Sequence, residues 1–129
     1  MPTQESQKKV LIIEDEDMLS DMYKVKFEKE KFQFLRATEG SEGLEMAKRE
    51  KPDVILLDVI MPKMDGFAVL QALKADSATK SARVILLTNL GQDEDIQKGK
   101  DMGADDYLVK ANFTPTQVVE KVRMLLGRK

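Results

Sequence analysis

The residues best suited to chemistry in this chain are Glu14, Asp15, Asp58, Thr88 and Lys110, because each stands at the end of a short apolar run. Val10-Leu11-Ile12-Ile13 runs into Glu14-Asp15, Val54-Ile55-Leu56-Leu57 into Asp58, Val84-Ile85-Leu86-Leu87 into Thr88, and Tyr107-Leu108-Val109 into Lys110. Continuous β-branched runs of this length read as strands buried on both faces, and ligands of open parallel sheets bind beyond the carboxyl ends of the strands. If the strand order is 2-1-3-4-5, strands one and three are neighbours and three carboxylates meet. Two like charges 4 Å apart repel by roughly 4 kcal/mol at an effective dielectric of 20, so such a cluster needs a cation or a protonated member. With oxygen ligands only, the natural cation is Mg²⁺, which takes one or two carboxylates together with phosphoryl oxygens. A nucleophile, a metal and donors for transferred oxygens are the parts of a phosphoryl-transfer site.

Each residue also has an ordinary reading. Acids from Glu14 to Asp17 complement a helix dipole, Asp58 alone is a turn residue, Thr88 alone a strand residue and Lys110 alone a surface lysine. Four strand ends that all suit one chemistry favour the functional reading.

The elements that position these residues follow from periodicity. Weaker strands are expected at Phe32–Ala37 and Tyr107–Val109, with helical spacing between the strands, hence repeated βα units and an α/β parallel sheet. The first helix is expected to start at the cap Asp17, with Met18, Met22, Val25 and Phe27 near one face and Lys24, Lys26, Glu28 and Lys29 largely outward. The second follows Gly40-Ser41; Gly43 inside it costs about 0.8–1 kcal/mol relative to alanine, pointing to close packing or a tolerated weakness. Gln92–Met102 is mostly polar, anchored by Ile96 and Met102 and weakened by Gly99, and is expected to be the most movable helix. The last helix has a capping-box pattern at Thr114-Pro115-Thr116-Gln117, a stripe of Val118, Val119, Val122, Leu125 and Leu126, and a stop at Gly127. The eight methionines read as adaptable core fillers rather than as a binding surface.

The bulk properties exclude several classes. A chain of 129 residues, 42% of them hydrophobic, suits a single domain, here 1–129 with a core at about 8–127. Twenty-one basic residues against 23 acidic ones leave a net charge of −2 without a basic stripe, so direct nucleic-acid binding is not expected. There is no cysteine and no histidine, which removes thiolate and imidazole chemistry. The polar start and the lack of a long apolar run predict a cytoplasmic protein without a membrane span. With Gly127 close to the end of the sequence, no output domain is expected, although an excised piece of a longer regulator would read alike.

The acidic pair after Val10–Ile13, the stretch from Val54 through Asp58-Val59-Ile60-Met61-Pro62-Lys63-Met64-Asp65-Gly66, Leu87-Thr88, and Gly103-Ala104-Asp105-Asp106-Tyr107-Leu108-Val109-Lys110 together resemble the receiver domain of response regulators, similar to the chemotaxis response regulator. The resemblance covers nearly the whole chain and implies a flavodoxin-like (βα)5 fold with sheet order 2-1-3-4-5. It implies that Asp58 is the phospho-acceptor, that Glu14 and Asp15 hold Mg²⁺ (or Mn²⁺) directly or through water, and that the Ile60 backbone carbonyl is a further ligand. Thr88 and Lys110 would contact the phosphoryl oxygens, and Thr88 and Tyr107 would report to a face built by helix four, strand five and helix five; a half-buried core role for Tyr107 is the alternative. The implied donor is a phosphohistidine on a sensor histidine kinase or phosphotransfer protein. The implied output is an unknown protein bound by a monomer or a phosphorylation-dependent dimer. The domain would catalyse its own phosphorylation and slow hydrolysis without being a classical enzyme.

Two positions depart from the family pattern. Ala111 follows Lys110 where proline, joined by a cis peptide, is usual, and a cis bond to alanine costs about 2.5–4 kcal/mol; the cis form is nevertheless the expectation. Asn89 replaces a small residue after Thr88. Only these two departures speak for the rival reading of a phosphorylation-independent scaffold. A haloacid-dehalogenase-type phosphatase would need an acid two residues after Asp58, where Ile60 stands. A nucleotide or flavin module would have to seat phosphate against Glu14-Asp15-Glu16-Asp17.

Overall fold

In a computed structural model, residues 8–59, 65–88, 93–110 and 113–127 are described. Strands and helices alternate: β1 (Lys9–Ile13), α1 (Asp17–Lys29), β2 (Gln33–Ala37), α2 (Gly40–Glu50), β3 (Val54–Asp58), α3 (Gly66–Ala75), β4 (Arg83–Thr88), α4 (Asp93–Asp101), β5 (Asp106–Val109) and α5 (Pro115–Leu126). The five strands form one parallel sheet in the order β2-β1-β3-β4-β5, the flavodoxin-like arrangement expected. β1 and β3 are adjacent, with Ile13 opposite Leu57, so the chain reverses its winding direction where the acids lie.

The period-two alternation of strand side chains divides the interior into two layers. Val10, Ile12, Val54, Leu56, Ile85, Leu87 and Leu108 face α1 and α5. Leu11, Ile13, Ile55, Leu57, Val84 and Leu86 face α2 and α3. At roughly 25 cal/mol per Å² of apolar surface, each fully buried leucine or isoleucine contributes about 1.5–3 kcal/mol to holding the sheet between its helices.

The first helix departs from expectation in both its start and its face. Its N-cap is Glu16, which makes no side-chain cap hydrogen bond, and the carboxylate of Asp17 pairs instead with Arg36 at 2.7 Å. The buried face is Ser20, Tyr23 and Phe27, whereas Met18, Met22 and Val25 are 75%, 49% and 68% exposed. The aromatic rings win because they bury more apolar area; Phe27 stacks edge-on against Phe32 with centroids 5.2 Å apart. The methionines therefore do not all fill the core. Met46 and Met102 pack against it, Met18, Met22 and Met124 face outward, and Met1, Met61 and Met64 lie outside the described residues.

Two helical glycines are explained by close approach. A Cβ on Gly43 would come within 2.5 Å of Ile13 Cδ1, and one on Gly99 within 2.3 Å of Leu86 Cδ1, so α2 and α4 ride directly on the sheet. The last helix is capped as its sequence predicts. Thr114 Oγ1 accepts from the Gln117 amide at 3.2 Å, and Gln117 Oε1 accepts from the Thr114 amide at 2.9 Å. Gly127 closes it in a right-handed conformation.

Candidate phosphoryl-transfer site

The acids of β1 and β3 meet at the carboxyl edge of the sheet. Ligand oxygens of Glu14, Asp15 and Asp58 all lie within 4.8 Å of one another. Glu14 and Asp58 are buried, at 1% and 4% exposure, while Asp15 opens to solvent. Their placement follows from the strands. The Glu14 amide donates to the Ala37 carbonyl at 3.0 Å, continuing the β1–β2 ladder one residue beyond β1. The Val59 amide donates to the Leu87 carbonyl at 3.0 Å, continuing β3 against β4.

Lys110 supplies the countercharge. Its Nζ donates to Asp58 Oδ2 at 3.0 Å and lies 2.8 Å from Glu14 Oε1. The convergence follows from alternation: Glu14, Asp58 and Lys110 continue the set that faces α1 and α5 (Val10 and Ile12; Val54 and Leu56; Leu108). The contact to Glu14 is a close ion pair, and Oε1 has no hydrogen-bond partner among the described residues. Glu14 Oε2 accepts from the Glu16 amide at 3.0 Å.

Burial dominates the titration of Glu14. It pushes the Glu14 carboxyl up to about 7, helped by the nearby Asp58 charge and opposed by Lys110 and the Glu16 amide. Burial alone would lower Lys110, but Glu14 and Asp58 outweigh it and hold the ammonium above the ordinary lysine value. Lys110 and a partly neutral Glu14 are thus how the protein alone accommodates the crowded acids.

Thr88 ends β4 opposite Val109, and its buried Oγ1 has no hydrogen-bond partner among the described residues. A buried hydroxyl left unpaired costs about 1–3 kcal/mol. This orphaned hydroxyl, the unused capacity of Glu14 Oε1 and an all-oxygen donor set fit a hard divalent cation with a phosphoryl group beside it. Tyr107 is half-buried against the α2/α3-side core, with Lys100 Nζ 5.9 Å from its ring centre. The Ile60 carbonyl, Asn89 and Ala111, and with Ala111 the expected cis bond, lie outside the described residues.

Two supporting residues escaped the reading of the sequence. Gly66 starts α3 with its amide donating to the Val59 carbonyl at 2.9 Å, and a Cβ there would fall 2.3 Å from the Asp58 carbonyl oxygen. Arg36, on β2, donates from Nε and Nη2 to the Glu14 carbonyl at 3.3 and 3.1 Å. The motif around Gly66 was visible, but its contact with Asp58 was not. Nothing in the spacing of Arg36 pointed to Glu14.

Fold and edge-of-sheet acids together define a doubly wound α/β protein with a carboxylate cluster at the β1/β3 switch point. The chain belongs to the response regulator receiver domain family, whose model matches residues 10–123, and so to the receivers of two-component systems. It is 40% identical over 120 residues to the DNA-binding dual master transcriptional regulator RpaA of Synechocystis sp., covering 93% of this chain and 49% of that protein. It is 34% identical to the alkaline phosphatase synthesis transcriptional regulatory protein PhoP of Bacillus subtilis, over 94% of this chain and 49% of that one. The chain thus spans about half the length of these curated relatives. Among solved structures it resembles the chemotaxis response regulator CheY4 of Vibrio cholerae, with a TM-score of 0.86, 30% identity, and coverage of 93% of this chain and 99% of that chain. It also resembles the BeF3-activated N-terminal receiver domain of RstA from Klebsiella pneumoniae, with a TM-score of 0.85, 26% identity, and coverage of 94% and 100%. Among the described residues no helix is long and apolar enough to cross a membrane.

Proposed function

We propose that this chain is a phosphorylation-dependent switch, a single receiver domain with its core at about 8–127, and that Asp58 accepts the phosphoryl group. The observation that carries this reading is the Lys110 ammonium set between Glu14 and Asp58, with the Thr88 hydroxyl, unpartnered among the described residues, at the end of the neighbouring strand β4. In the transfer, an Asp58 carboxylate oxygen forms a bond to phosphorus as the N–P bond of a phosphohistidine breaks. The bonding electron pair leaves on the imidazole nitrogen, which takes up a proton. The chain has no histidine, so the donor is a partner, a sensor histidine kinase or a phosphotransfer protein, and the switch works in the cytoplasm where such donors act.

Glu14, Asp15 and Asp58 would hold Mg²⁺, with the Ile60 carbonyl as the further ligand that the family pattern supplies. When bound, the ion contributes positive charge to the crowded carboxylates and phosphoryl oxygens. Lys110 neutralises charge on the transferred group, and the Thr88 hydroxyl donates to one of its oxygens. Water later attacks the aspartyl phosphate, so the domain resets itself without being a classical enzyme. Output runs through Thr88 and Tyr107 to the face of α4, β5 and α5, whose movable part is α4, with a protein target met by the monomer or by a dimer formed on phosphorylation.

The test is intact mass after incubation with a small acyl phosphate, for the native chain and Asp58→Asn, each with Mg²⁺ and with a chelator. One phosphoryl group added only to the native chain with Mg²⁺ is the expected result. No addition, where a known receiver is modified in parallel, would overturn the reading and leave a receiver fold that binds partners without phosphorylation.

A further inference from the structure

We propose that Arg36 is a positioning residue for the cation site: its guanidinium fixes the Glu14-Asp15 peptide plane and with it the aim of both carboxylates. The inference rests on the metal-holding role given above to these two acids. Arg36 reaches the loop because β2 lies beside β1, with Arg36 in register with Ile12. Strand alternation then places Arg36 with Phe34 on the α1 side, where Phe34 packs against Phe27 at 5.9 Å between ring centres.

Three contacts set the geometry. Nε and Nη2 both donate to the Glu14 carbonyl, at 3.3 and 3.1 Å, and Nη1 pairs with Asp17 Oδ1 at 2.7 Å. A peptide unit is planar, so a forked pair of donors on the Glu14 carbonyl orients the amide plane that Asp15 shares. The directions in which the two side chains leave the backbone follow from that plane. The Asp17 carboxylate is 83% exposed, so its ion pair adds little energy; its effect is to turn the fork toward the carbonyl. Arginine suits the task because its donors are set in a rigid plane, which a lysine cannot reproduce.

The sign of the effect separates positioning from charge. Arg36 is a cation beside an acidic cluster, so on Coulomb grounds its removal tightens the binding of a divalent cation. Positioning predicts the opposite. Partners that orient metal ligands typically account for about 10–100-fold in affinity.

The experiment is a Mn²⁺ titration followed by the electron paramagnetic resonance of the free ion, on the native chain, Arg36→Gln and Arg36→Lys. It is paired with amide hydrogen exchange of the metal-free proteins. The expected result is Mn²⁺ binding about tenfold weaker in both variants, with far-UV circular dichroism unchanged. The Glu14 and Glu16 amides should exchange about fivefold faster or more, as a loosened loop requires. Affinity equal to or tighter than native in Arg36→Gln, or native affinity in Arg36→Lys, would overturn the proposal. If the native chain binds no Mn²⁺, the cation-site reading falls. Exchange in the metal-free chains then decides whether Arg36 holds the loop, and unchanged rates at Glu14 and Glu16 overturn that as well.

Discussion

The Lys110 ammonium donates to Asp58 Oδ2 at 3.0 Å from a position 52 residues further along the chain. The same nitrogen is 2.8 Å from Glu14, so one largely buried cation holds two acids that would otherwise repel. Replacing it with methionine keeps the bulk and removes the charge. Lys110→Met should lose about 3–5 kcal/mol at neutral pH, the range for breaking a buried pair from one side. The loss should shrink in acid, where the carboxyls are neutral. Urea denaturation at two pH values checks both statements.

Glu14 makes the metal-free protein sensitive to pH in the direction opposite to an ordinary ion-paired acid. Its folded value is raised from 4.5 to about 7, so between these limits the folded state holds the proton more tightly than the unfolded state. The stability this contributes is complete below pH 4.5 and is lost as pH rises through 7, on the order of 1–3 kcal/mol. Glu14→Gln should flatten that part of the profile. The checking measurement is the urea midpoint against pH in the presence of chelator.

Thr88 should show stability and activity pulling apart. Its buried hydroxyl has no partner among the described residues, so Thr88→Val, which keeps the shape, should leave stability unchanged or raise it by up to about 1 kcal/mol. Phosphoryl uptake from a small acyl phosphate should slow by about tenfold, because a donor to the transferred oxygen is gone. Thermal unfolding and a mass-spectrometric time course report the two effects separately.

Gly66 and Gly43 should respond differently to alanine. At Gly66 the added methyl meets backbone, the Asp58 carbonyl oxygen at 2.3 Å and Val59 Cα at 2.6 Å, which cannot move without moving Asp58. Overpacking of about 1–3 kcal/mol and slower phosphorylation are expected. At Gly43 the methyl meets the fully buried Ile13 side chain, Cδ1 at 2.5 Å and Cγ1 at 2.8 Å, so overpacking of about 1–3 kcal/mol is only partly offset by a helix-propensity gain of about 0.8–1 kcal/mol. Gly43→Ala should therefore lose up to about 2 kcal/mol in urea unfolding while leaving phosphorylation at its native rate.

The β-branched runs that end in Glu14, Asp58 and Thr88 were legible without a structure, because a strand buried on both faces admits only apolar side chains until it emerges at the sheet edge. The capping box at Thr114 was equally legible, since Thr114, Pro115 and Gln117 act within one turn. These are local effects, so spacing along the chain encodes them. The face of α1 was not local. Met18, Met22 and Val25 also recur at helical spacing, and only the aromatic packing of Phe27 against Phe32 and Phe34 decided which stripe turned inward. The departures of Asn89 and Ala111 fall outside the described residues.

The amino-acid sequence by itself determined where each strand ends and which chemical group stands there, because burial selects apolar residues along the strand and the polar groups that break the run, Glu14, Asp58 and Thr88, stand out against it although they too are buried. Only the tertiary structure decided which groups meet. The bond of Arg36 to the Glu14 carbonyl exists because β2 pairs with β1, the bare Cα of Gly66 sits on Asp58 because α3 starts against β3, and Lys110 bridges two acids because β5 closes the same edge. Those contacts join residues 22, 8 and 52 or more positions apart, and through-space distance at such separations is set by sheet order and helix packing.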